Sequence, residues 1–126
     1  MRDFVNVHDV VDANLCVLED SRADGKAFNV GGGRALSVAE FAGIVARAYG
    51  RDLDAKPCGA YRFGDTRHIV SDIAQLRRLG WEPKRTPADS VAEYVEWLRA
   101  HGDIEDILAF AEKQMKAMGV VREVIR

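Results

Sequence analysis

Between Tyr61 and His68 the chain sets two arginines, Arg62 and Arg67, around Asp65, with aromatic residues alongside. A guanidinium is a planar fork of donors that matches a phosphate, and a carboxylate accepts hydrogen bonds from ribose hydroxyls. The chemistry such a loop can do is recognition of a phosphorylated sugar. The plainer reading is a solvated loop with a local Asp65–Arg67 pair. Arg2-Asp3 offers the same residue types at the start of the chain and reads most simply as a solvated chain end.

The other reactive residue types are less promising. Gly31-Gly32-Gly33 invites a dinucleotide-binding reading, but that loop needs G-x-G-x-x-G and the third position is Leu36. A turn that needs glycine dihedrals is the better account. His8 and Asp12 stand at i, i+4, yet no third ligand is spaced to complete a metal site, which leaves His8 a surface or capping role. His68 and His101 have no evident nucleophile to serve. Cys16 falls inside an apolar helical pattern and reads as core. Cys16 and Cys58 have no C-x-x-C spacing and are expected to be reduced thiols in a cytoplasmic protein.

These residues need elements to hold them. Apolar positions Val10, Val11, Leu15, Val17 and Leu18 predict a helix from His8 to Glu19, with a face broad enough to be covered on more than one side. Phe4, Val5 and Val7 predict a strand over Arg2–Val7, Lys26–Val30 a second strand, and Asp54–Cys58 a weaker third. Ser37 and Glu40 form a capping box for a helix ending near Gly50. Ser71 or Asp72 starts a short helix through Ile73, Leu76 and Leu79, stopped by Gly80 and Pro83. Thr86, Pro87 and Asp89 open another, carried by Val91, Tyr94, Val95 and Leu98. A last amphipathic helix is expected over Asp103–Met118. Short strands alternating with longer helices make an α/β pattern.

Lys plus Arg total 18 and Asp plus Glu 20, for a formal charge of −2 over 126 residues. A nucleic-acid binder usually carries a clustered basic excess, so that class is set aside. An apolar fraction of 48% with 30% charged residues suits one globular domain. No apolar run reaches the ~18–20 residues of a membrane span, and no signal-peptide core is evident. The first element begins at residue 2, which is expected of a piece cut from a longer polypeptide.

Four segments, taken together, carry a resemblance. Arg2-Asp3-Phe4-Val5-Asn6-Val7-His8-Asp9-Val10 resembles the R-D-[FY]-[VI]-x-V-x-D-[VL] segment of NAD-dependent sugar-nucleotide epimerases and dehydratases, the extended short-chain dehydrogenase/reductases. Phe28-Asn29-Val30-Gly31-Gly32-Gly33 is similar to their F-N-V-G-x-G strand end. Arg62-Phe63-Gly64-Asp65-Thr66-Arg67 is similar to their R-x-G-D-x-R loop, and Leu79-Gly80-Trp81-Glu82-Pro83 to their L-G-[WF]-x-P turn. The motifs occur in family order over residues 2 to about 101, and residues 103 onward match none.

The resemblance is to the C-terminal, substrate-binding half. It implies an α/β fold of helices with a few short, mostly parallel strands, lacking most of the Rossmann sheet. It divides the chain into a nucleotide-sugar-binding domain, 1–101, and a helical extension of it, 102–126. It implies that Arg2 and Arg62 contact the substrate diphosphate and that Asp65 faces the nucleotide ribose. The family binds NAD(P) through an N-terminal G-x-x-G-x-x-G loop and moves protons with Y-x-x-x-K. Tyr49, Tyr61 and Tyr94 are followed at that spacing by Leu53, Asp65 and Leu98, so no tyrosine has its lysine. The chain is therefore expected to have no catalytic residue, to bind no cofactor or metal, and to be inactive alone. Its expected partners are a nucleotide-diphosphate sugar, the missing N-terminal Rossmann half, and further copies of itself, with neither nucleic acid nor membrane. The alternative is a stand-alone, non-catalytic nucleotide-sugar-binding or structural module. Asn6, where the family usually has histidine, and His8, where it has an acid, blur any subfamily assignment.

Overall fold

The computed structural model describes residues 1–53, 55, 56, 58–102 and 107–123. Five α-helices and two small sheets appear among them, with a single 3-10 turn at Ser21–Ala23: β1 (Arg2–Asp3), α1 (Val7–Glu19), β2 (Ala35–Leu36), α2 (Val38–Ala48), β3 (Ala60–Arg62), α3 (Ala74–Leu79), α4 (Pro87–His101), α5 (Leu108–Ala117) and β4 (Val121–Glu123). The chain is thus α/β, with helices dominant.

Helix starts follow the local chemistry. Ser37 Oγ accepts from the Glu40 N–H while the Glu40 carboxylate accepts from the Ser37 N–H, the reciprocal capping box. Thr86 and Asp89 repeat it at α4, with Pro87 at the first helical position. Asn6 caps α1 through the His8 N–H at 2.8 Å, and its amide donates to Ser90 Oγ at 3.0 Å on α4. Because Asn6 is buried, one side chain starts a helix and ties it to another.

The core gathers Ala13 of α1, Ile73, Leu76 of α3 and Trp81, with Cys16, Val17, Phe28, Val30 and Leu79 packed on it. Leu76 is fully buried, as its place on the inward stripe of α3 requires. α2 packs against α4, and Phe4 stacks on Phe41 with ring centroids 3.9 Å apart.

The strands depart most from expectation. Both ladders are antiparallel: Arg2 pairs with Leu36 and Asp3 with Ala35, while Ala60, Tyr61 and Arg62 pair with Glu123, Arg122 and Val121. Among the described residues the parallel component expected for the strands is one isolated bridge, Arg2 to Ile69. Helices separate the partners in both pairs, α1 between β1 and β2 and α3 to α5 between β3 and β4, yet each ladder is only two or three residues long and runs antiparallel. The expected strand Arg2–Val7 stops at Asp3, because Asn6 turns the chain into α1. Lys26–Val30 forms no strand: Phe28 and Val30 bury on the core, but no described segment pairs with them. The strand expected at Asp54–Cys58 falls partly outside the described residues, and pairing begins at Ala60. Of the final helix, residues 103–106 lie outside the described residues and Leu108–Ala117 is helical.

Candidate functional site

Arg2 and Asp3 are not a solvated chain end. Pairing with β2 and the bridge to Ile69 half-bury both residues. The Asp3 carboxylate accepts from the Gly32 N–H at 2.7 Å and from the Ser71 N–H at 3.1 Å, joining three separate segments. Asp3 therefore holds β1 in place, and β1 presents Arg2. The glycines above it serve this contact. A Cβ on Gly31 would collide with the Asp3 carboxylate and the Ser71 side chain, and one on Gly32 with the Phe4 carbonyl. Only Gly33 of the three has a positive φ, +70°. Close backbone approach, rather than dihedral freedom, is what Gly31 and Gly32 supply.

Asp9 plays the matching part for the later turn. Its buried carboxylate accepts from the Lys84 and Arg85 N–H groups, at 3.2 and 3.0 Å, and from Arg85 Nη1 at 2.7 Å. Burial pushes this carboxyl upward, and the two backbone amides with the guanidinium outweigh it, holding it below the usual carboxylate range. Asp12 shares Arg85 Nη1 at 3.1 Å and lies 3.8 Å from Lys84 Nζ, so it is engaged in ion pairing. His8 lies 3.6 Å from a Glu93 carboxylate oxygen. Among the described residues no three metal-ligating side chains come together.

Arg62 ends β3, and Gly64 at φ +91° turns the chain back so that the Asp65 N–H meets the Arg62 carbonyl at 3.2 Å. That turn sets the side chains too. Asp65 Oδ2 accepts from Arg62 Nε at 3.0 Å, and Nη2 lies 3.0 Å from the same oxygen in the ion pair. The expected Asp65–Arg67 pair is replaced by Arg62–Asp65, because the glycine reverses the chain between 62 and 65. Asp65 thus aims Arg62, and among the described residues these contacts leave Oδ1 unused.

Arg2 and, sixty residues on, Arg62 and Asp65 all line one cavity of about 960 Å³, within the range of small-molecule sites. Arg67 joins them, and the far wall belongs to α5 and β4. Among its described lining residues, four cationic side chains face two carboxylates, a formal +2 in a chain whose net charge is −2. Arg2 Nη1 is buried with no hydrogen-bond partner among the described residues. An unpaired buried guanidinium nitrogen is costly. Sequence reasoning missed the α5–β4 wall, since nothing in residues 107–123 marks a motif. It also missed Asp3 and Asp9 as the fasteners of the scaffold, although both stand in the first motif.

No family model matches the chain. A dTDP-L-rhamnose 4-epimerase of Burkholderia thailandensis is 35% identical over 98 residues, which cover 77% of this chain and 27% of that protein. The crystal structure of a Thermotoga maritima UDP-glucose 4-epimerase with UDP-glucose superposes with a TM-score of 0.68 at 34% identity, over 81% of this chain and 32% of that one. The structure of RMD from Pseudomonas aeruginosa, complexed with NADPH, gives a TM-score of 0.63 at 27% identity, over 75% and 31%. The chain spans about a third or less of the length of these relatives. Among the described residues no helix is long and apolar enough to cross a membrane.

Proposed function

We propose, because the chain belongs to the extended short-chain dehydrogenase/reductases and corresponds to the C-terminal part of their sugar-nucleotide epimerases and dehydratases, that its cavity holds the diphosphate of a nucleotide sugar. The observation that carries this is the convergence of Arg2, Arg62 and Asp65 on one cavity with excess positive charge. Two guanidinium groups approaching from different elements suit a diphosphate, whose oxygens each accept a charge-assisted hydrogen bond. Asp65 orients Arg62 through Oδ2 and offers Oδ1 to ribose hydroxyls.

Turnover needs more than these residues. The relatives' names speak of epimerisation and dehydration at the sugar, and one neighbour carries NADPH. No G-x-x-G-x-x-G loop or Y-x-x-x-K pair occurs in this sequence. The chain supplies the substrate clamp, and a Rossmann half would supply NAD(P) and the proton-transferring pair. A reducing cytoplasm suits its two free thiols, and exposed apolar residues on α1 suit self-association.

Calorimetric titration with UDP-glucose and dTDP-glucose tests the clamp. Arg62→Ala should weaken binding by about 1.5–3 kcal/mol, the range for hydrogen bonds to charged groups. Arg62→Lys should restore only part, since a lysine lacks the fork. Equal affinity for the wild type and Arg62→Ala would remove Arg62 from the site.

A further inference from the structure

Residues 107–123 carry no recognisable motif, yet they form one wall of the cavity. Glu112, Met115 and Lys116 stand at i, i+3 and i+4, so one face of α5 is turned toward Arg2 and Arg62 across the space between them. Val121 of β4 adds to that wall. The placement is fastened at several points. β4 pairs with β3 along three residues, and the Phe63 N–H donates to the Val120 carbonyl at 2.7 Å. The Arg122 guanidinium lies 3.7 Å from the centroid of the Phe63 ring, a cation–π contact. Gly119, at φ +66°, makes the reversal from α5 into β4, and the Val120 N–H returns to the Met115 carbonyl at 3.0 Å. The strand that carries Arg62 and the segment that carries Lys116 are therefore one hydrogen-bonded unit.

The cations of the cavity are not equivalent. Arg62 is occupied by Asp65, whereas Arg2, Arg67 and Lys116 show no side-chain ion pair among the described residues. Lys116 is exposed, four residues from Glu112 on the same helix, and that pair forms no salt bridge here. A compact ammonium on a flexible stem, held at a cavity wall, is a phosphate ligand of the point-charge kind.

We propose that the α5–β4 segment is part of the ligand site and that Lys116 is a third cation for the diphosphate, beside Arg2 and Arg62. This rests on the clamp reading above and extends it to a segment no motif identifies. The segment is then a specificity wall, since its residues meet the ligand from a separate element.

The test uses the whole chain, titrated with inorganic pyrophosphate and with UDP while backbone and side-chain resonances are followed by NMR, which detects millimolar binding. Resonances of Arg62 and of Met115–Lys116 should move together with one dissociation constant. Lys116→Ala, at an exposed position that should leave the fold intact, should weaken UDP binding about three- to tenfold, between an exposed pair and a well-formed charged hydrogen bond. Lys116→Arg should keep most of the affinity. If Arg62 responds while 108–123 stay still, or if Lys116→Ala binds UDP as the wild type does, the wall is overturned and the clamp stands. If neither Arg62 nor α5 responds, the clamp reading falls and this proposal with it.

Discussion

Two aspartates outside the cavity's lining fasten the scaffold: Asp3 holds β1, which carries Arg2, and Asp9 holds the turn before α4. Asp3 collects the amides of Gly32 and Ser71, and Asp9 collects those of Lys84 and Arg85 together with the Arg85 guanidinium. Breaking a buried charged contact is expensive because the remaining partner loses its solvation without compensation. Asp9→Asn keeps one acceptor and loses the charge, so chemical denaturation should show a loss of about 1.5–3 kcal/mol at neutral pH. The pH dependence has a definite sign. The folded-state pKa of Asp9 lies below its unfolded value of about 3.9, so its contribution is complete above that value and disappears as pH falls through the folded one. Wild type should lose stability below about pH 4 more steeply than Asp9→Asn does, measured as thermal midpoints across an acid series. Parallel acid profiles would contradict this account of Asp9.

Elements are set by their ends. The Thr86–Asp89 capping box satisfies amides at the start of α4, and α4 carries Val91 and Val95 into the interior. Thr86→Ala should therefore lower unfolding free energy by about 1 kcal/mol, as is usual for removing such a cap. A change below about 0.3 kcal/mol in urea unfolding would show that packing alone holds the helix start. The loop beneath β1 makes a different demand. Gly31→Ala places a methyl against the Asp3 carboxylate and Ser71, so either the loop or β1 must shift. That variant should lose about 1–3 kcal/mol, the range for overpacking, and should disturb Arg2. Its effect on nucleotide-sugar affinity should exceed that of Gly25→Ala, where a Cβ meets nothing within 4 Å.

On the scale of the whole chain, the unsatisfied feature is α1. Ala13 faces the core with Cys16 and Val17 beside it, while Val7, Val11, Leu15 and Leu18 form a stripe along the opposite side. Leu18 is 80% exposed and Val7 65%, which is more than scattered surface hydrophobics explain at such regular spacing. The C-terminal helix does not cover it, since α5 lies against the cavity and β4 against β3. An exchange of the strand expected over residues 2–7 loses its basis, because β1 is two residues long and already paired within the chain. We expect copies of the chain to cover the α1 stripe in one another, giving a dimer or higher oligomer. Light scattering that returns one 14.0 kDa mass at every concentration would refute it. The isolated chain should also show no NAD-dependent turnover of nucleotide sugars, and measurable activity in a homogeneous preparation would overturn its reading as a clamp.

Helix starts and stops were legible from the residues because caps, prolines and glycines act within one turn. Ser37 with Glu40, Thr86 with Asp89, and Gly80 at φ +97° do in space what their types and spacing predict. Two of the four motifs offered Arg2, Arg62 and Asp65 as candidates for the ligand, which the titrations test. Strand pairing was not legible: β1 finds β2 across some thirty residues and β3 finds β4 across some sixty, and no local signal specifies a partner so far away. The partner of Asp65 was missed for a local reason, since Gly64 at positive φ turns the chain so that Arg62 rather than Arg67 meets it. Distance in sequence hid Lys116. A lysine in an amphipathic helix is ordinary by its neighbours, and only the pairing of β4 with β3 carries it to the wall opposite Arg2.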